Sequence, residues 1–139
     1  MPAKETKRDR VCAWLEKSGE DLAVAQRLLG TSSQYSGIIG FHAQQAVEKL
    51  LKALLLAHDV AFPKTHDLAL LLDLVARVEP LLAESLLDAE HLTPYSVTAR
   101  YPAYTKKRPP MGAEAAVRLA ILADKVVRKA LRPYLRGKA

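Results

Sequence analysis

The sequence predicts an all-α protein, an up-and-down bundle of about five helices. Three observations carry this. Half of the residues are apolar, and Leu and Ala outnumber the β-branched and aromatic residues that favour strands. Apolar residues recur at helical spacing through several long stretches, and Gly, Pro and Ser/Thr clusters separate those stretches. The stretch Phe41 to Ala57 carries two helical faces. A chain of 139 residues fits one domain and buries about 68 to 70 % of its unfolded surface. The domain is assigned to residues 8–135, with 1–7 and 136–139 expected to be disordered tails.

From Arg8 to Leu29, Val11, Trp14, Leu15, Ser18, Leu22, Ala25 and Leu29 share a face, with Glu16, Lys17, Glu20, Asp21 and Arg27 mostly elsewhere. Gly30 ends this first helix, and Thr31, Ser32 and Ser33 supply turn and cap chemistry for the next. The short connection predicts an antiparallel pair. The second helix starts between Ser33 and Gly37 and ends near His58 and Asp59, before Pro63. Glycines inside its first turns, Gly37 and Gly40, fit a close approach by a neighbouring backbone, or a frayed first turn.

In this second helix Ala43, Ala46, Val47, Leu50, Leu51, Ala53, Leu54 and Ala57 form the core face. The opposite strip reads Phe41, Gln44, Gln45, Glu48, Lys52 and Leu55. An aromatic ring and a leucine bracket amides and charges there, which predicts a seam with a second copy of the chain. A solvated strip with stray apolar residues is the alternative.

Thr65 is placed as the N-cap of a third helix holding Leu68, Leu71, Leu72 and Val75, with Asp67 in its first turn. Pro80 suits the first turn of a fourth, with Leu82, Leu86 and Ala89 on one face, ending or kinking at Pro94. Tyr95 to Met111 shows no sustained period and holds three of the eight prolines, so it is predicted to be a loop. From Gly112 to Tyr134 the period resumes. Ala116, Leu119, Ala120, Ala123, Val127, Ala130 and Leu131 lie inward, and Arg118, Lys125, Arg128, Lys129 and Arg132 form a basic stripe outside.

A single cysteine, Cys12, gives no intrachain disulfide and no Cys-rich zinc site, so a reducing cytoplasm is the expected location. No apolar run follows Met1, since Lys4, Lys7, Arg8 and Arg10 lead directly into an amphipathic pattern, and the longest apolar runs are far shorter than a membrane span. A net charge of +6 gives a mild attraction for polyanions and is just as compatible with ordinary solubility or an acidic protein partner. No cofactor is implied. His42, His58 and His91 stand at no metal-ligand spacing, and no glycine-rich phosphate loop or nucleophile elbow occurs.

The strongest candidate for chemistry is the segment with Arg100, Tyr101 and Tyr104 followed by Lys106, Lys107 and Arg108. Arginine offers a planar donor fork to phosphate, tyrosine rings stack on bases, and prolines limit the chain's freedom. The combination suits nucleotide or RNA contact; a stiffened connector with solvated charges is the plainer reading. His66, before a helical acid, reads more readily as a capping or hydrogen-bonded histidine than as a catalytic one.

Taken together, Asp21-Leu22-x-x-Ala25, then Phe41-x-Ala43-Gln44-Gln45-Ala46-x-Glu48-Lys49-x-x-Lys52-Ala53-Leu54-Leu55, then Pro63-x-Thr65-His66-Asp67-Leu68, then Ala99-Arg100-Tyr101-Pro102 resemble the HEPN family, in order from about Ser18 to Ala130. The resemblance implies a homodimeric five-helix bundle. It also implies a minimal nucleotidyltransferase partner, with this chain as the HEPN half of a toxin and antitoxin pair. Many HEPN domains are metal-independent ribonucleases that use, in a dimer cleft, an Arg followed after four to six residues by a His. Arg100 is placed for that motif, but Thr105, Lys106 and Lys107 stand where the histidine would fall. A positioned general acid or base is commonly worth 10² to 10⁴ in rate.

Two readings follow. The first is a dimeric HEPN binding module that takes nucleotide or RNA near Arg100, Tyr101 and Tyr104 beside a nucleotidyltransferase. The second is a ribonuclease with an altered active site, using Arg100 with Tyr104, Lys106 or Lys107. In some family pairs the partner attaches nucleotides to a tyrosine near the arginine motif, which makes Tyr101 and Tyr104 candidate acceptors.

Overall fold

The computed structural model describes residues 4–30, 33–98 and 111–137. Helix α1 (Lys7–Leu29) begins at a reciprocal cap. The Thr6 hydroxyl accepts from the Asp9 backbone N–H, and the Asp9 carboxylate accepts from the Thr6 N–H at 3.0 Å. These bonds hold the Asp9 carboxyl below its ordinary range. Thr6 and Lys7 therefore belong to the folded domain, and the expected N-terminal tail of 1–7 is too long.

Helix α2 (Ser36–Ala57) follows a 3-10 turn at Ser33–Tyr35. It runs antiparallel to α1: Lys7 near the start of α1 reaches Asp59 just past the end of α2 at 3.1 Å, and Asp21 reaches back to His42. Helices α3 (Leu68–Ala76), α4 (Pro80–Ser85) and α5 (Tyr95–Thr98) come next, with a 3-10 segment at Leu87–Leu92 between the last two. Helix α6 (Ala113–Leu135) returns along α1 and α2. Its C-terminal end meets the start of α1, where Lys7 lies over the Tyr134 ring and the Arg8 guanidinium donates to the Leu135 carbonyl. No strand occurs among the described residues.

Three long helices thus form the bundle; α3, α5 and the 3-10 segment at Leu87–Leu92 close the remaining side of α2, and α4 packs on α3. The core runs along α2, where Ala43, Ala46, Val47, Leu50, Leu51, Ala53 and Leu54 are all fully buried. Val11, Leu15 and Leu22 of α1, Leu71 and Val75 of α3, and Ala120, Ala123 and Val127 of α6 pack into the same cluster. A smaller cluster of Ala25, Ile39 and Val117 seals the other end. Burying a leucine of this kind stabilises the fold by about 1.5 to 3 kcal/mol, so α2 accounts for much of the stability.

Four expectations change. Asp67, not Thr65, caps α3: its carboxylate accepts from the Ala69 and Leu70 N–H groups, while the Thr65 hydroxyl accepts from the Asp67 N–H. Tyr95–Thr98, expected to be loop, is a helical turn because Tyr95 and Ser96 are buried against α2. Gly40 is required by an aromatic ring and not by a neighbouring backbone. A Cβ there would run into Cε1 of Tyr95, far inside van der Waals contact, so only glycine fits. Arg128 leaves the basic stripe: its Nε donates to Asp124 at 2.6 Å and its Nη2 to the Leu15 carbonyl at 2.9 Å.

Candidate functional site: a polar seam along α2

The strip predicted to face a second copy is largely occupied within its own subunit. Gln44, Glu48, Lys52 and Leu55 are buried, whereas Phe41 and Gln45 are half-buried. The correction has a local cause. The connector between α2 and α3 folds back over this face and brings Phe62 and His66 onto it.

Glu48 is 3 % exposed and gathers three donors. Gln44 Nε2 donates to Oε1 at 3.1 Å, Lys52 Nζ donates to Oε2 at 3.1 Å, and His66 Nδ1 lies 2.7 Å from Oε1. Gln44 and Lys52 sit one turn before and one turn after Glu48, so the helix itself delivers both. An ionised carboxylate only accepts, so Nδ1 of His66 carries the shared proton and Nε2 is the outer position of a ring whose side chain is 56 % exposed. Lys52 lies 5.6 Å from the Trp14 ring centroid and 5.9 Å from that of Phe62, which adds cation–π attraction to the ion pair. Gln45 Nε2 donates to Gln44 Oε1 at 2.7 Å and carries the network toward the surface.

A second cluster lies further toward the start of α2. Asp21, read from the sequence as outward, is nearly buried. It accepts from Lys49 Nζ at 2.5 Å and meets His42 Nδ1 at 2.8 Å. The Phe41 ring stands edge-on to His42, with centroids 5.3 Å apart. The sequence reading missed this cluster, although His42 and Lys49, seven residues apart on one face opposite an aspartate, were a usable signal. Both clusters repeat one composition, a carboxylate with one histidine and one lysine. No buried side-chain polar atom among the described residues lacks a partner. Among these residues no group of three or more His, Cys, Asp or Glu converges to hold a metal ion.

Arg100, Tyr101, Tyr104, Lys106, Lys107 and Arg108 lie outside the described residues, but the residues flanking them on both sides are fixed. The Tyr95 ring fills the space left by Gly40, and its hydroxyl donates to the Met111 carbonyl at 2.7 Å. Burial pushes the Tyr95 hydroxyl above its ordinary pKa, which keeps it a donor. The chain that enters the 99–110 segment and the chain at its return are therefore tied together beside Gly40 of α2. Next to its return lies a surface pocket of about 410 Å³ bordered by Met111, His91, Asp88 and Arg118. His91 is the imidazole that the fold places at this return, and the sequence reading gave it no role.

The fold and the polar seam define a small helical-bundle protein with a charged network built into its central helix. A model of the HEPN domain family matches residues 11–132. The crystal structure of TT1696 from Thermus thermophilus is similar, with 31 % identity and a TM-score of 0.65 over 86 % of this chain and 97 % of that one. The search of curated proteins gives no match. The chain belongs to the HEPN domain family. No helix among the described residues is long and apolar enough to cross a membrane.

Proposed function

We propose that this chain is a HEPN binding protein that takes nucleotide or RNA on the 99–110 segment. It acts as a dimer in the cytoplasm beside a minimal nucleotidyltransferase, as the HEPN half of a toxin-antitoxin-like pair. The observation that carries the reading is the Tyr95 clamp, which ties both flanks of this segment to α2. The segment holds Arg100, Tyr101, Tyr104, Lys106, Lys107 and Arg108, a set of phosphate donors and stacking rings with no acidic residue between them. Family membership supports the dimer and the partner. Because Gln44, Glu48, Lys52 and Leu55 are committed within the subunit, a seam along this side of α2 would rest on Phe41 and Gln45.

Binding is preferred over catalysis because no histidine follows Arg100 at the family spacing. The test is incubation of the purified protein with single-stranded RNA in EDTA, with binding and cleavage followed side by side. Salt-sensitive binding without turnover that weakens in Arg100→Ala is the expected outcome. Metal-independent cleavage abolished by Arg100→Ala would establish the ribonuclease reading instead. Sedimentation of the wild-type chain reads the dimer directly, and a single-chain mass removes it.

A further inference from the structure

Helix α6 distributes its charge differently from α1. On α1 the cations are interleaved with Asp9, Glu16 and Glu20, and Lys17 pairs with Glu20 at 3.2 Å. On α6, Arg118, Lys125, Lys129, Arg132 and Arg136 are all exposed. Steps of seven, four, three and four residues align them along one narrow face. The acidic residues of this helix are Glu114, in its first turn, and Asp124, which is bound to Arg128. Neighbouring cations one turn apart repel, and the helix dipole compensates only near the C-terminus. Glu114, four residues before Arg118, accounts for that cation, but Lys125 has Ile121 and Leu122 one turn before it and Arg128 and Lys129 one turn after, so helix stability does not explain it.

We propose that this face of α6 is a track for the phosphate backbone of single-stranded RNA; the proposal rests on the RNA-binding reading above. The stripe extends about 27 Å at 1.5 Å per residue, long enough for several phosphates. It starts where the basic 99–110 segment rejoins the bundle: Arg118 and Met111 border the same pocket. Ile121 and Leu122 interrupt it only in its first half. From Lys125 onward its exposed residues are three further cations and Pro133, with Gly137 after the helix end. Protein interfaces are depleted of charge at their centres, whereas nucleic-acid interfaces are polar and positive, so phosphate is the better match.

The experiment is anisotropy of a labelled 15-nucleotide oligouridine across a salt series. It compares the wild type, the Lys125→Ala/Lys129→Ala/Arg132→Ala variant and the Arg100→Ala/Arg108→Ala variant. Three lost phosphate contacts lower the slope of log K against log salt by about 2, which is roughly a 100-fold weaker affinity near 0.1 M salt. An unchanged slope in the α6 variant overturns the track; if the Arg100/Arg108 variant has lost binding, the function proposed above stands. If the wild type binds no RNA, the track falls together with the RNA arm of the function proposed above, and its nucleotide arm is unaffected. Equal binding of poly-glutamate at matched charge assigns the face to an acidic protein and overturns the RNA assignment. Acetylation footprinting of the wild-type protein answers independently of whether the variants fold. RNA should shield Lys125 and Lys129 and leave Lys17 reactive, and no shielding refutes the track.

Discussion

The two carboxylates that meet α2 hold the same kinds of partner by different routes. Glu48 takes Gln44 and Lys52 from its own helix and His66 from the connector, in a setting where both charged partners of the ion pair are almost sealed from water. Asp21 comes from α1 and reaches across to His42 and Lys49, whose side chains keep part of their exposure. The Glu48 group is thus a local structure that the connector caps, whereas the Asp21 group is a cross-helix tie with water within reach. Burial, more than the number of bonds, should decide what each is worth. A buried ion stripped of its partner cannot be resolvated, but a half-exposed one can.

The largest expected effect follows from that difference. Glu48→Ala strands the Lys52 ammonium and should cost about 3 to 5 kcal/mol in urea unfolding. The Glu48→Met/Lys52→Met pair removes both charges and should recover most of the loss, since a buried pair is often no better than apolar residues of similar volume. A double variant as unstable as the single one would mean that the ion pair itself stabilises the fold. Next comes Gly40→Ala, a third fixed point on α2, where overpacking against the Tyr95 ring should cost about 3 kcal/mol. A thermal midpoint unchanged from wild type would show that the ring can move aside.

Asp21→Ala should cost less, about 1 to 2 kcal/mol, because Lys49 and His42 can turn to solvent. A loss equal to that of Glu48→Ala would erase the distinction between the two clusters. The smallest change is Tyr95→Phe, which removes one hydrogen bond to Met111 and about 1 kcal/mol. It also carries a pH signature. The Tyr95 pKa is raised in the fold above 10.0, so its contribution is complete below that value and is lost as pH rises through the folded pKa. In alkali the wild type should therefore lose stability more steeply than Tyr95→Phe, and parallel curves would contradict the assignment.

Much of the fold was legible from periodicity. The helices at α1, α2 and α6 announce themselves by long apolar stripes, and Pro80 marks where α4 begins, whereas the start of α3 was placed two residues early, at Thr65 instead of Asp67. What the pattern misjudged was the destination of the strip at Glu48 and Lys52. A helical wheel shows that a face is shared, but it does not say whether a second copy or a connector of the same chain covers it. The one-turn helix at Tyr95 escaped for a related reason. Four residues carry no period, and the turn is held by a tertiary fit of its ring into Gly40. In the candidate site, Gln44, Glu48, Lys52 and His66 were singled out from the sequence, but their convergence on one carboxylate depends on a connector whose path no local rule dictates.

The Tyr95 clamp also bears on how this protein can change over time. With one phenol tying the chain before residue 99 to the chain after residue 110, an insertion between them has its two ends already joined. Its length can double for a closure cost of only about 0.6 kcal/mol, leaving the core untouched. Lengthening or replacing that insert then requires no renegotiation of the helices that carry it.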